Sequence, residues 1–106
     1  MISRIVSMHL KPNRAAEFTR TMDREVIPLL RKQKGFHDVL TFIASGGLEA
    51  MGISLWDQTE DADAYTRRIY PEVLKALTDV VEGTPRIQMF EIANSTFHVL
   101  AARPAV

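Results

Sequence analysis

A chain of 106 residues has the size of one compact domain, so a single domain over residues 1–106 is expected, with no room for a second. Thirteen Lys and Arg side chains balance thirteen Asp and Glu, so no net field draws in nucleic acid, an anionic membrane or a highly charged substrate, and affinity must come from a pocket. Cysteine is absent, which excludes disulfides, thiolate-held zinc, iron–sulfur clusters and thiol catalysis and points to a reducing compartment.

The first ten residues carry Arg4 and His9 inside an apolar run too short for a secretory leader. No run approaches the ~20 apolar residues of a membrane span, so a soluble, cytoplasmic protein is expected. From Ile2 to Leu10 an apolar set (Ile2, Val6, Met8 and Leu10, with Arg4 as the exception) alternates with a mixed set (Ser3, Ile5, Ser7 and His9). That pattern predicts a strand with two unlike faces. Lys11-Pro12-Asn13 stops it and offers Asn13 as an N-cap, after which Phe18, Met22, Val26, Leu29 and Leu30 recur at helical spacing. Pro28 lacks an N–H and crowds the preceding turn, so this helix should kink or restart near Ile27-Pro28. Gly35 ends it.

Phe36 to Ala44, with Val39, Phe42 and Ile43, reads as strand two, and Ser45-Gly46-Gly47 supplies the glycines of a tight hairpin. Strand three, Leu48 to Trp56, has bulky Met51, Ile53 and Leu55 at odd positions and small Ala50, Gly52 and Ser54 before Trp56 at even ones. Helix two opens with Asp57 or Thr59 as cap, and Glu60, Asp61 and Asp63 suit its positive end. A restart is expected at Tyr70-Pro71, followed by an apolar stripe of Val73, Leu74, Leu77, Val80 and Val81 before Gly83. Pro85 to Ala93 is a fourth strand, and Asn94 to Leu100 is a tail that could add a fifth or cross to a partner.

The order is β-α-β-β-α-β, a ferredoxin-like α+β fold with one antiparallel sheet and two helices on a single face. Two helices cover one side only, so Ile5, Trp56 and part of strand four are expected on the bare side. A second sheet in a two-fold homodimer would bury them there.

Strand one running into Lys11-Pro12-Asn13, the passage from Pro28-Leu29-Leu30 to Gly35-Phe36, the strand end Ser54-Leu55-Trp56-Asp57 and the closing Phe90-Glu91-Ile92 resemble the antibiotic biosynthesis monooxygenase domain of the dimeric α+β barrel superfamily. The resemblance spans nearly the whole chain. It implies a face-to-face homodimer whose subunits each hold a small aromatic or quinonoid molecule between sheet and helices, with no cofactor. The haem-degrading branch of that superfamily uses an Asn, a Trp and a His at places that fall here on Val6, Tyr65 and Lys75, so no haem is implied. The polyketide-oxidising branch keeps its Trp as Trp56, whereas Gly52 and Ala62 stand where its Asn and Tyr would be sought.

Within that frame Trp56 offers a stacking surface or, more commonly for such a residue, contact area at the dimer junction. Tyr65 and Tyr70 lie five residues apart and do not share one helical face, so at most one is expected to line the cavity. Tyr65 is the better placed, as a hydrogen-bond donor to a quinone or phenolate oxygen. His9, near a strand end, is the candidate general base. The substrate-binding set is Trp56, Val6, Phe42 and Tyr70. His9, His37 and His98 lack the spacing of a metal motif, so no metal is expected. Arg67-Arg68 reads as a solvated helix face, and Asn94-Ser95-Thr96 as a turn cap. Three readings follow: a cofactor-independent oxygenase, a non-catalytic binding protein, and an isomerase or cyclase using a base such as His9.

Overall fold

Alternation in the first segment becomes β1, Ile2–Leu10, in the computed structural model, which describes residues 1–98. Val6, Met8 and Leu10 turn inward and are buried, while His9 on the other side is exposed. β1 pairs antiparallel with β3 (Glu49–Trp56) and with β4 (Val81–Glu91), and β2 (Phe36–Ile43) joins the outer side of β3, giving the order β2-β3-β1-β4. The helices pack on one face, as the ferredoxin-like reading requires. They are α1 (Ala15–Thr21), a π turn (Met22–Val26) and α2 (Ile27–Arg31) in the first crossover, then α3 (Thr59–Arg68) and α4 (Tyr70–Ala76) in the second. Phe18, Val26 and Leu30 from the first crossover and Ala62, Tyr65, Val73 and Leu77 from the second close over Val6, Leu10, Ala50 and Trp56 of the sheet. Phe18 and Trp56 are fully buried, and burying a Phe-sized side chain stabilises a fold by about 3 kcal/mol.

The restart expected at Pro28 takes a specific form. Pro28 has no N–H to give the Arg24 carbonyl and its ring would strike that carbonyl, so the helix widens into the π turn and resumes as α2 with Pro28 in its first turn. The second crossover likewise breaks at Ile69, and Pro71 opens α4. Gly35, which ends the first crossover, has φ 78°, and a Cβ there would lie 2.1 Å from Asp61 Oδ2. The hairpin over Ser45-Gly46-Gly47 closes with Gly47 N donating to the Ala44 carbonyl at 2.8 Å.

Several expectations are corrected. Asn13 does not cap α1: it takes a left-handed φ of 62°, which Asn tolerates, and Arg14 holds the N-cap position with no side-chain capping bond. Neither Asp57 nor Thr59 caps α3; Gln58 occupies that position, Asp57 is engaged by His37, and Thr59 is already helical. β4 starts at Val81 rather than Pro85. Gly83, with φ 73°, and Pro85 mark a bulge where the register against β1 shifts between Ser7 and His9, so they interrupt a strand instead of preceding one.

Trp56 is not on the bare side. Register pairs it with Ile2, and its parity is that of Ala50, Gly52 and Ser54, the face that meets the helices. Ile5 does face the bare side, opposite Ile53, together with half-exposed Leu40, Phe42, Met51 and Phe90. The tail from Asn94 forms bends, and no fifth strand occurs among the described residues; Val99 and Leu100 lie outside them. Ser95 Oγ accepts from the backbone N–H of Phe97 and His98 at 3.2 and 3.1 Å, the expected turn cap, and His98 pairs with Asp38 of β2 at 2.6 Å. No helix among the described residues is long and apolar enough to cross a membrane.

Candidate functional site

Small residues on the inward face of β3 leave a gap that the helices roof but do not fill. Gly52 has nothing within 4 Å of where its Cβ would be. Around it lies a cavity of about 50 Å³ between sheet and helices. Val6 and Met8 of β1 form its floor with Gly52 and Ser54, while Tyr65 of α3 and Tyr70 of α4 stand over it. Met22 and Leu74 are among the flexible apolar side chains that complete the wall.

Polar atoms reach this apolar space from a few points. Trp56 Nε1 donates to Ser54 Oγ at 2.9 Å, and Ser54 Oγ donates to the Arg4 carbonyl at 3.4 Å. Arg4 is 3% exposed, yet its Nε donates to Thr66 Oγ1 at 2.9 Å, and Thr66 Oγ1 donates in turn to the Ala62 carbonyl at 3.0 Å. The guanidinium lies over both tyrosine rings, 5.0 Å from the Tyr65 centroid and 4.3 Å from that of Tyr70. Such contacts recover part of the solvation a buried cation loses. The two rings are 6.2 Å apart, and Trp56 backs Tyr65 at 5.3 Å while meeting the edge of Phe36 at 5.5 Å.

Burial pushes the Tyr65 hydroxyl up to about 12, against the opposing pull of the Arg4 charge. The Tyr70 hydroxyl is raised for the same reason, and burial lowers Arg4. Both phenols therefore keep their protons near neutrality, where they can donate hydrogen bonds but cannot act as bases. No carboxylate or imidazole lines the cavity among the described residues. The arrangement sets phenolic donors beside a small apolar space, where they can address an oxygen atom placed within it.

The sequence-derived candidates divide between two faces. Val6, Tyr65 and Tyr70 come together at the cavity. Both tyrosines reach it because the helix breaks at Ile69, so the five-residue spacing does not follow one helical screw. Trp56 is fully buried behind Tyr65 and supports the wall instead of lining it. His9 and Phe42 lie on the opposite side of the sheet, where they line a hollow of about 450 Å³ with Ser7 and Met51. There His9 is 72% exposed and stands 3.8 Å from Glu49. His37 pairs with Asp57, and no group of three or more His, Asp or Glu among the described residues could hold a metal ion. Arg4 was legible only as the charged exception in the inward set of β1, and that exception is the signal that would have found it.

No protein-family model matches the chain, and no curated protein does. Solved structures do. SnoaB, a cofactor-independent oxygenase from Streptomyces nogalater, matches with a TM-score of 0.75 at 13% identity, over 92% of this chain and 97% of that one. The ActVA-Orf6 monooxygenase of Streptomyces coelicolor, solved with nanaomycin D, matches with a TM-score of 0.72 at 14% identity, over 92% of each chain. A candidate antibiotic biosynthesis monooxygenase from Bordetella bronchiseptica gives 0.75 at 18% identity, over 88% of this chain and 97% of that one. The four-stranded antiparallel sheet with helices on one face is thus the fold of the antibiotic biosynthesis monooxygenases.

Proposed function

We propose that this chain is a cytoplasmic, homodimeric protein of the cofactor-independent monooxygenase type, acting on a small aromatic or quinonoid metabolite held between sheet and helices. The observation that carries this reading is the gap over Gly52, apolar on its walls and capped by two buried phenols. That the ActVA-Orf6 monooxygenase, of like fold, was solved with nanaomycin D supports it. A cavity of about 50 Å³ is small beside the ~150 Å³ that accepts a benzene ring. Binding then widens it, and Met8, Met22 and Leu74 are the side chains that yield.

In this proposal Tyr65 donates a hydrogen bond to a substrate oxygen and Tyr70 lies beside the same ring. A phenol bound there as its anion transfers electrons directly to dioxygen. One oxygen atom enters the ring carbon, the other leaves as water with the two hydrogens lost by the substrate, and a quinone results. Apolar walls exclude bulk water from the reacting anion. The half-exposed apolar side chains of the bare sheet face, Leu40, Phe42, Met51 and Phe90, suit burial against a second copy.

One observation favours a second reading, a non-catalytic binding protein: the cavity holds no residue that could remove a proton at neutral pH. The isomerase or cyclase reading fares worse, since its base, His9, stands on the other face of the sheet. An oxygen electrode separates these. Uptake with a quinol or phenol, without added metal or flavin and abolished by Gly52→Leu, supports the oxygenase. Ligand-dependent thermal stabilisation with no uptake for any binding phenol overturns it in favour of the binding protein.

A further inference from the structure

Arg4 is a charge placed where the fold has no use for one. It points from the inward face of β1 to the cavity, is 3% exposed, and its Nη2 has no hydrogen-bond partner. Nε is satisfied by Thr66, the Tyr70 hydroxyl is a further hydrogen-bond partner of the guanidinium, and its central carbon lies over both tyrosine rings, but no Asp or Glu lines the cavity among the described residues. An unpaired donor on a buried cation is costly, and substituting an apolar side chain would relieve that cost. The position is inward, in line with Val6, Met8 and Leu10, where an apolar residue would satisfy the strand pattern.

We propose that the molecule held in this cavity is an anion, a planar ring bearing a carboxylate or an ionised phenolic oxygen that pairs with Arg4 Nη2. The inference rests on the cavity being a ligand site, and adds the residue that selects the charge of its occupant. Arg4 supplies the counter-charge and a donor, while the Tyr65 and Tyr70 rings beneath it hold the guanidinium in place. Because the chain carries no net charge, selection for the anion is local to this one side chain and does not arise from long-range steering. A ligand already ionised in solution needs no base here, whereas an ordinary phenol would keep its proton as Tyr65 and Tyr70 do beside the same guanidinium.

The test is calorimetric titration of the full chain with two matched pairs of probes: benzoate against benzamide, and para-nitrophenolate against para-nitroanisole. Each pair differs in charge and little in shape. The expected result is roughly 10- to 100-fold tighter binding of the anion in at least one pair, the range a charge-assisted hydrogen bond gives. The pair that shows it separates a carboxylate from a phenolate. In Arg4→Met the preference should collapse to within about 3-fold, with binding of the neutral probe retained and the melting temperature equal to or above wild type. If the neutral probes bind wild type as well as the anions, the inference fails while the cavity remains a ligand site. If no probe binds, both fail. Should Arg4→Met not fold, Arg4 is a structural residue and the wild-type ratios decide alone. Gly52→Leu checks the location, since binding that survives it is elsewhere and also overturns the inference.

Discussion

Replacing Gly52 tests the cavity from inside. Gly52 sits in mid-strand between Val6 and Thr41, its backbone is not left-handed, and nothing lies within 4 Å of the missing Cβ. A glycine in a strand interior costs about 0.5–1 kcal/mol relative to alanine. Gly52→Ala should therefore stabilise the chain by that amount, which for a domain of this size raises the melting temperature by about 2–8 °C. Gly52→Leu goes further. Its side chain would gain roughly 1.5–3 kcal/mol on burial, offset by about 1–3 kcal/mol if the cavity of about 50 Å³ must strain to receive it. The leucine variant should then melt close to the alanine one while losing ligand binding. Differential scanning fluorimetry with and without a binding phenol measures both. A marked drop in melting temperature for Gly52→Ala, or full ligand stabilisation in Gly52→Leu, would refute the reasoning.

Trp56→Ala should cost about 3–5 kcal/mol, because the ring is fully buried against Tyr65 and Phe36; denaturant titration checks this, and a loss under about 1 kcal/mol contradicts the placement. Tyr65, pushed up to about 12 mainly by burial, keeps its proton in the fold after an unfolded tyrosine has released it. Its contribution, roughly 2–3 kcal/mol, should be intact below about pH 10 and lost as pH climbs through about 12. Denaturation midpoints across that range should fall more steeply for wild type than for Tyr65→Phe, and parallel curves would count against it. Phe42→Asp, on the bare sheet face with Leu40 and Met51, should convert the proposed two-fold dimer to monomer in light scattering without losing secondary structure; a wild type that is already monomeric, or a variant of unchanged mass, would contradict a dimer through this face.

Period and punctuation carried most of the fold. The alternation of β1, the proline restarts at Pro28 and Pro71 and the glycine turns at Gly35 and Gly47 are local signals, and the structure has them where they were read. Strand four was read late because Gly83 and Pro85 look the same in sequence whether they precede a strand or bulge it. The face carrying Trp56 was misjudged because alternation along β3 separates its two faces without saying which one the helices cover, and they rest on the small residues. Site residues were harder. Tyr70 joins Tyr65 only because the helix breaks at Ile69, and the sequence showed that break without its direction. His9 and Phe42 fell on the other face, since residue type alone says nothing about which side a ligand uses.

The most direct test of the cavity as a ligand site is an amide NMR titration of the wild-type chain with a small phenol that stabilises it thermally. The account predicts shift changes concentrated at Arg4, Val6, Gly52, Ser54, Tyr65 and Tyr70, around the gap between sheet and helices. Changes centred instead on Ser7, His9, Phe42, Glu49 and Met51, the hollow on the opposite face, would contradict it.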